Sequence, residues 1–232
     1  MGVIDALTNG GLSNLVNLIT AVGALGGASM GLVDTTKMFR GGPSNFGFGH
    51  IERALAPFLD ALASSAAPFG KHAILRTLKG DWLNGAAKDD QKAKANSLIH
   101  LNLSRINATA LANVAAVDPA ALQAAVQKKA DGVAAAPEES GALEQFEAVL
   151  TAVVNEAYER GDQKYRNAAK FLAMVTSVVL GGIGSLLVYG TSDYGSLGFC
   201  LLAGLVATPI APVAKDLASS LQTAVTAASA IK

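Results

Sequence analysis

The stretch FLAMVTSVVLGGIGSLLVYGTSDYGSLGFCLLAGLVATPIAPV, residues 171–213, carries a single charged side chain, Asp193. A bilayer core about 30 Å thick needs about 20 mostly apolar helical residues at 1.5 Å each. The stretch supplies that length twice, at residues 171–189 and 194–213, with a tight hairpin around Asp193 between them. Pro209 and Pro212 lie late in the second half. Each lacks the amide that a helix needs, so the spacing predicts a break or kink there.

Upstream, Leu143, Phe146, Leu150, Val153 and Ala157 step by three and four, which makes one apolar helical stripe. Glu156 with Arg160 and Asp162 with Arg166 are i,i+4 pairs in the favourable order, and only Gly161 weakens the run. The sequence therefore predicts a juxtamembrane helix over 141–170 that continues into the span 171–189. Downstream, residues 214–232 read as an amphipathic helix with Leu217, Leu221, Val225 and Ala228 on one face. Its polar face is nearly uncharged, which favours packing against protein over lying on anionic lipid.

A third charge-free gap lies between Asp5 and Asp34. Residues 12–33 fill it as a first span, and 1–33 form an external N-terminus plus that span. The flank MGVIDALTNGG holds Asp5 and no Lys or Arg, unlike the basic start of a signal peptide, so an uncleaved span is expected. Ala6 stands where an N-myristoylation pattern wants Ser or Thr. Overall, 51 % of residues are apolar and 16 % charged, against about 25 % charged in a soluble domain. The expected class is an all-α integral membrane protein with three transmembrane helices and a helical cytoplasmic domain, 34–140, between the first and second spans.

Lys and Arg fix the expected orientation. Lys37, Arg40, Arg160, Lys164, Arg166, Lys170 and Lys215 all flank one side, and the opposite flanks hold none. The N-terminus is placed outside, residues 34–170 and the C-terminus in the cytoplasm, and Tyr189 and Tyr194 at the outer interface, where amphipathic rings favour the headgroups.

Within the spans, small residues recur every four positions: Gly23, Gly27 and Gly31, broadened by Gly26 and Ala28; then Ser177, Gly181 and Ser185; then Cys200, Gly204 and Thr208. Lipid offers little hydrophobic drive for helix association, so close backbone approach across small residues supplies the packing. These faces predict tight helix contacts inside a subunit and between copies, hence a homo-oligomer in the bilayer.

The region before residue 141 reads as helices and turns. NFGFG, residues 45–49, reads as a loop whose Phe46 and Phe48 anchor at the interface; a carbonyl-lined filter would require a re-entrant pore helix within a hairpin. A helix over 51–66 is expected to be interrupted by Pro57, a second to stop at Gly80, and DWLNG to form a turn around the lone Trp82. Residues 88–117 are expected to reach the core near 98–103. Asp118, Pro119, Lys128, Lys129 and Gly132 are ordered as the cap, first turn, last turn and stop of one helix. AAAPEESG reads as a linker.

Residues 143–221 carry a resemblance. The cluster Tyr158, Arg160, Lys164, Tyr165 and Arg166, the two closely spaced spans and the exit through Ala211, Pro212, Asp216 and Leu217 resemble the C-terminal half of a group of bacterial inner-membrane proteins of unknown function. An N-terminal span before a cytoplasmic region is also similar. The chain departs from the group in lacking Trp in the cluster and aromatics after Pro212. The resemblance implies a bacterial plasma-membrane address and no chemistry.

Signals for chemistry are sparse. His50, His72 and His100 lack the spacing of a metal site, and Gly70-Lys71 lacks the remaining residues of a phosphate loop. Cys200 reads as a packing residue, no span holds a charged residue or histidine, and the zero net charge gives no basic tract for nucleic acid. Asn102-Leu103-Ser104 and Asn107-Ala108-Thr109 match a glycosylation pattern that has no meaning on a cytoplasmic side. No catalytic residue, metal or cofactor is expected. The leading functional reading is a non-enzymatic structural or assembly platform, with a cytoplasmic protein as its further partner. The alternatives are a homo-oligomeric pore lined by Thr176, Ser177 and Ser185, or by Ser13, Asn14 and Asn17, and then a membrane enzyme.

Overall fold

The computed structural model describes residues 12–36, 41–62, 69–190 and 193–230, with side chains left out at 12–14, 215–219, 221–222 and 224–230. Among the described residues all regular structure is helical. The order is α1 (Leu12–Thr35), α2 (Ser44–Leu62), α3 (Lys71–Asn84), α4 (Lys88–Leu101), α5 (Ala108–Ala115), α6 (Pro119–Ala130), α7 (Pro137–Tyr189) and α8 (Tyr194–Ala230). Contacts divide these into two compact units, Ser44–Arg166 and the chain on either side of it. Among the described residues, three helices are long and apolar enough to cross a membrane: Leu15–Thr35, Pro137–Tyr189 and Tyr194–Ala214, with mean hydropathy 1.6, 2.2 and 2.0.

Ser44–Arg166 has a conventional apolar core. Ile51, Leu55 and Leu59 of α2, Ile74 and Leu78 of α3, Ile99 of α4, Leu111 of α5 and Leu122 of α6 are buried together. They close on Phe146, Leu150, Val154 and Tyr158 of α7. Phe58 meets Phe146 edge to face at 6.4 Å.

Several local readings change. Residues 45–49 are the first turns of α2, not a loop. A Cβ at Gly47 would lie 2.6 Å from the Gly161 carbonyl oxygen, and one at Gly161 3.1 Å from that of Gly47. These glycines let α2 and α7 touch backbone to backbone; they do not mark a flexible segment. Phe48 is only 3 % exposed and joins the core, with the Lys79 ammonium over its ring, so it is no interfacial anchor. Pro57 does not interrupt α2, because it sits on the exposed face and its missing amide costs only one bond of the ladder.

Helix α3 passes Gly80 and carries Trp82 in its last turn, so DWLN is helical. It ends at Gly85, whose φ of 70° supplies the left-handed stop. Asp118 accepts hydrogen bonds from the amides of Ala120 and Ala121 at 2.8 and 3.2 Å, with Pro119 in the first turn. Gly132 lies beyond the end of α6 with φ 68°. Helix α7 begins at Pro137, so only Ala134–Ala136 of the expected linker lie outside it. Glu139 reaches back to accept from the Ala136 amide at 2.7 Å and from Lys128 Nζ at 2.8 Å.

In the other unit, α1 packs antiparallel to α8, and the part of α7 beyond Arg166 packs antiparallel to α8 as well. Helix α8 continues through Pro209 and Pro212 without a break. Asp193 closes the start of α8, accepting from the Ser196 amide at 3.1 Å and the Ser196 hydroxyl at 2.6 Å.

Candidate functional site

The apolar helices pack through small residues. A Cβ at Gly26 would collide with the Ala207 carbonyl and the Ala211 side chain, and one at Gly23 with Ala214. Nearer the start of α8, a Cβ at Gly181 would lie 2.5 Å from the Cys200 carbonyl oxygen, and one at Gly204 2.7 Å from both Ser177 O and Val178 Cα. Helix α8 thus carries two seams: Ala207, Ala211 and Ala214 against α1, Cys200 and Gly204 against α7. A Cβ at Gly27 or Gly31, by contrast, would meet no atom of the described residues within 4 Å outside its own helical turn. The glycine spacing defines a stripe on α1, and α8 uses only its Gly23–Gly26 edge. Gly26 and the three alanines are the contact residues that the four-residue spacing of glycines alone passes over. Ala207 and Ala211 show the same spacing.

Buried hydroxyls lie within these helices. Ser29 donates to the Leu25 carbonyl at 2.8 Å. Ser177, Ser185 and Thr208 are buried, and among the described residues their side-chain oxygens have no hydrogen-bond partner. Large apolar side chains face outward, Val179, Ile183, Leu202 and Leu187 among them, the last 81 % exposed. Only 17, 28 and 22 % of the apolar windows of the three long helices is buried inside the protein.

The interface candidates fall in different settings. Tyr189 and Tyr194 are exposed at the two ends of the 189–194 connection. Arg160 pairs with Glu156, and Arg166 with Asp162 at 2.8 Å. Lys164 and Lys170 are exposed. Lys37 and Arg40 lie outside the described residues, as do the side chains of Lys215, Ser13 and Asn14. Asn17 is exposed on α1.

In Ser44–Arg166, α7 serves as a ruler with two distinct ends. At the Arg166 end, Lys88 of α4 reaches Asp162 at 2.9 Å and Glu159 at 3.3 Å, and Lys92 reaches Glu159 at 2.8 Å. Burial opposes ionisation of Asp162, but the bonds from Arg166 and Lys88 prevail and hold its carboxyl below the usual range. The bonds from Lys92 and Lys88 do the same for Glu159, and those from Asp162 and Glu159 raise Lys88 despite its partial burial. Trp82 sits beside this network, donating from Nε1 to Ser44 O at 3.1 Å, with Tyr158 and Tyr165 at 6.2 and 6.3 Å. Tyr158 is fully buried in the core. Burial, seconded by the Asp81 charge, pushes its phenol far up. Asp81 itself pairs with Lys94 at 2.7 Å. His50 is held neutral-leaning by burial first and Lys164 second.

At the other end, His100 of α4 meets Glu147 of α7 at 2.9 Å, and Arg105 donates to Gln127 at 2.9 Å. The turn between α4 and α5 is bolted by two buried asparagines. Asn102 accepts from the Phe69 amide at 3.2 Å, Asn107 donates to Asn102 O at 2.7 Å, and the Asn107 side-chain oxygen accepts from the Ser104 amide at 2.8 Å. The glycosylation-like motifs are therefore structural. Around them runs a chain of shallow grooves. One of about 410 Å³ lies among Asn96, His100, Leu101 and Glu147; a second of about 380 Å³ shares His100 and Leu101; a third of about 320 Å³ shares Lys129 and Leu143 with the second. Among the described residues, no three His, Cys, Asp or Glu side chains cluster as metal ligands.

Comparison with family models, curated proteins and solved structures gives no match at a significant level.

Proposed function

We propose that the protein is a non-enzymatic integral membrane protein of the bacterial plasma membrane that self-associates through its small-residue helix faces and presents residues 44–166 as a cytoplasmic platform for assembly. The observation that carries this reading is the exposed face of α1. Among the described residues, nothing covers Gly27 and Gly31, while Gly23 and Gly26, on the same helix, lie against α8. Inside lipid, such a face favours the close approach of another helix. The run of basic residues on one flank supports an N-terminus outside and 44–166 inside. Helix α7, uninterrupted from Pro137 to Tyr189, supports a domain carried directly on a span. The grooves beside His100 and Leu101 are the surface offered to a cytoplasmic protein.

The homo-oligomeric pore is the weaker reading. Ser177 and Ser185 are buried within the subunit, so of the described side chains proposed as lining, Asn17 is the fully exposed one.

The test is the mass of the purified 23.5 kDa chain in native lipid discs, beside a Gly27→Leu variant. A defined multimer that Gly27→Leu reduces to a single chain, with helicity retained, is the expected result. A single-chain mass for the parent overturns self-association.

A further inference from the structure

At the end of Ser44–Arg166 marked by the His100–Glu147 contact, large apolar side chains stand in the open. Leu101, the last residue of α4, is 60 % exposed, Ile106 in the following turn 71 %, and Val133, just after α6, 56 %. Exposed apolar side chains gathered on one face mark a place of interaction, which scattered single ones do not. The three grooves run along this face: Leu101 lines the first and second, and Val133 the third.

The second groove decides the chemistry. Val126 belongs to the core and Leu103 and Leu143 pack against it, so the floor is apolar. The titratable groups in its wall are His100, Arg105 and Lys129, with no carboxylate. Arg105 spends one donor on the neutral Gln127 amide and keeps the rest of its guanidinium. Among the described residues, neither Arg105 nor Lys129 has a carboxylate within ion-pair distance. The nearby acids are placed otherwise: Asp131 accepts from Gln127, Glu147 meets His100, and Glu144 lines the third groove instead of the second. Among the described residues there is also no sheet edge. An incoming segment thus gains no ladder of backbone hydrogen bonds and satisfies its own as a helix.

We propose that this face binds an amphipathic helix of a partner protein, its apolar stripe lying in the grooves and its acidic side chains over Arg105 and Lys129. This deepens the platform reading above and rests on it. Charge complementarity selects the occupant. A basic helix would set its ammonium groups against two cations that have no carboxylate of their own, and such like-charge contacts reject a partner.

The experiment uses the full-length chain in discs of zwitterionic lipid and two fluorescein-labelled peptides. Both peptides carry leucine at i, i+3, i+4 and i+7 of a helix, and they differ only in bearing glutamate or lysine on the flanking positions. Binding is read by fluorescence anisotropy, with the signal of empty discs subtracted. The glutamate peptide is expected to bind about tenfold tighter than the lysine peptide. Arg105→Glu combined with Lys129→Glu should invert that order. Leu101→Glu, a change at an exposed residue, should weaken the glutamate peptide by about tenfold. Equal affinities for the unmodified chain, no binding of either peptide, or an order that survives the charge reversal overturns the proposal. A multimer that Leu101→Glu disperses, with neither peptide bound, makes a second copy the occupant and overturns it as well. The mass of the chain in the same discs keeps the two readings apart. A single-chain mass with the peptide preference intact overturns self-association alone, and a multimer without the preference overturns the helix-binding face alone.

Discussion

The two units of this chain pack by opposite rules. In Ser44–Arg166 the large side chains are inside: Phe146, Ile51, Leu55, Leu78 and Tyr158 are fully buried, and lysines, aspartates and glutamates cover the outside. In the unit built on α1, α8 and the end of α7, most buried helical positions are small or hydroxylated, Ser29, Ala173, Ser177, Ser185, Ala207 and Thr208 among them, with Val33 a larger exception. There Val179, Leu187 and Leu202 face out. Water makes burying a large apolar side chain worth about 1.5–3 kcal/mol, so the first unit hides them. A surrounding as apolar as leucine offers no such gain, and what remains is the contact made when backbones approach. The inside of the first unit is the kind that water selects, and the inside of the second is the kind that packing in an apolar surrounding favours.

The sharpest way to break this contrast is to truncate a large core residue. Phe146→Ala is expected to cost the domain about 3–5 kcal/mol, read as a lowered thermal midpoint, whereas Leu187→Ala leaves stability in discs within experimental scatter. If the two variants lose equally, the opposition of the units fails.

A charge on the outer face separates them next. Val179→Lys is expected to cost about 3 kcal/mol in a bilayer, seen as loss of the membrane-extracted folded fraction. Ile106→Lys, also on an exposed apolar residue, should be neutral.

Third is overpacking. Gly26→Val drives a side chain into the Ala207 carbonyl and should destabilise by about 1–3 kcal/mol, whereas Gly27→Val enters open space and should leave the isolated subunit unchanged. Protease resistance of the detergent-solubilised chain distinguishes them.

The smallest effect concerns the ionic contacts that belong to the domain alone. The Asp162 carboxyl titrates lower folded than unfolded, so its stabilisation is present above the ordinary carboxylate value of about 4 and disappears as pH falls through the depressed folded value. Asp162→Asn is expected to remove less than about 1 kcal/mol at neutral pH and to flatten the acid limb of the stability curve below pH 4. A variant with an unchanged acid limb would take Asp162 out of the account.

Much of the class was legible because it depends on local composition. Long charge-free runs declare apolar helices whatever they pack against, and the Asp118–Pro119 start of α6 needs nothing beyond its own turn. What was not legible depends on a neighbour. Gly26 and Gly27 are adjacent and identical, and only the rotation of α1 against α8 makes one a contact and leaves the other open. Gly47 reads as part of a loop because its reason for being glycine, the Gly161 carbonyl, lies 114 residues away along the chain. Tyr158 grouped with Arg160 and Lys164 by sequence, yet one helical step turns it into the core. Pro209 and Pro212 signalled a break by local rule, but α8 runs on through both. The grooves beside His100 combine α4, α6 and α7 and have no signature in any one of them.

The position of Trp82 has a spectroscopic consequence. It is the only tryptophan of the chain, and it is wedged between Ser44, Tyr158 and Tyr165 in the domain that holds the soluble-type core. Indole emission during denaturation therefore follows Ser44–Arg166 alone, while far-ultraviolet circular dichroism sums every helix. The gap between the two curves measures how much helical structure outlasts the domain, with no probe added to the protein.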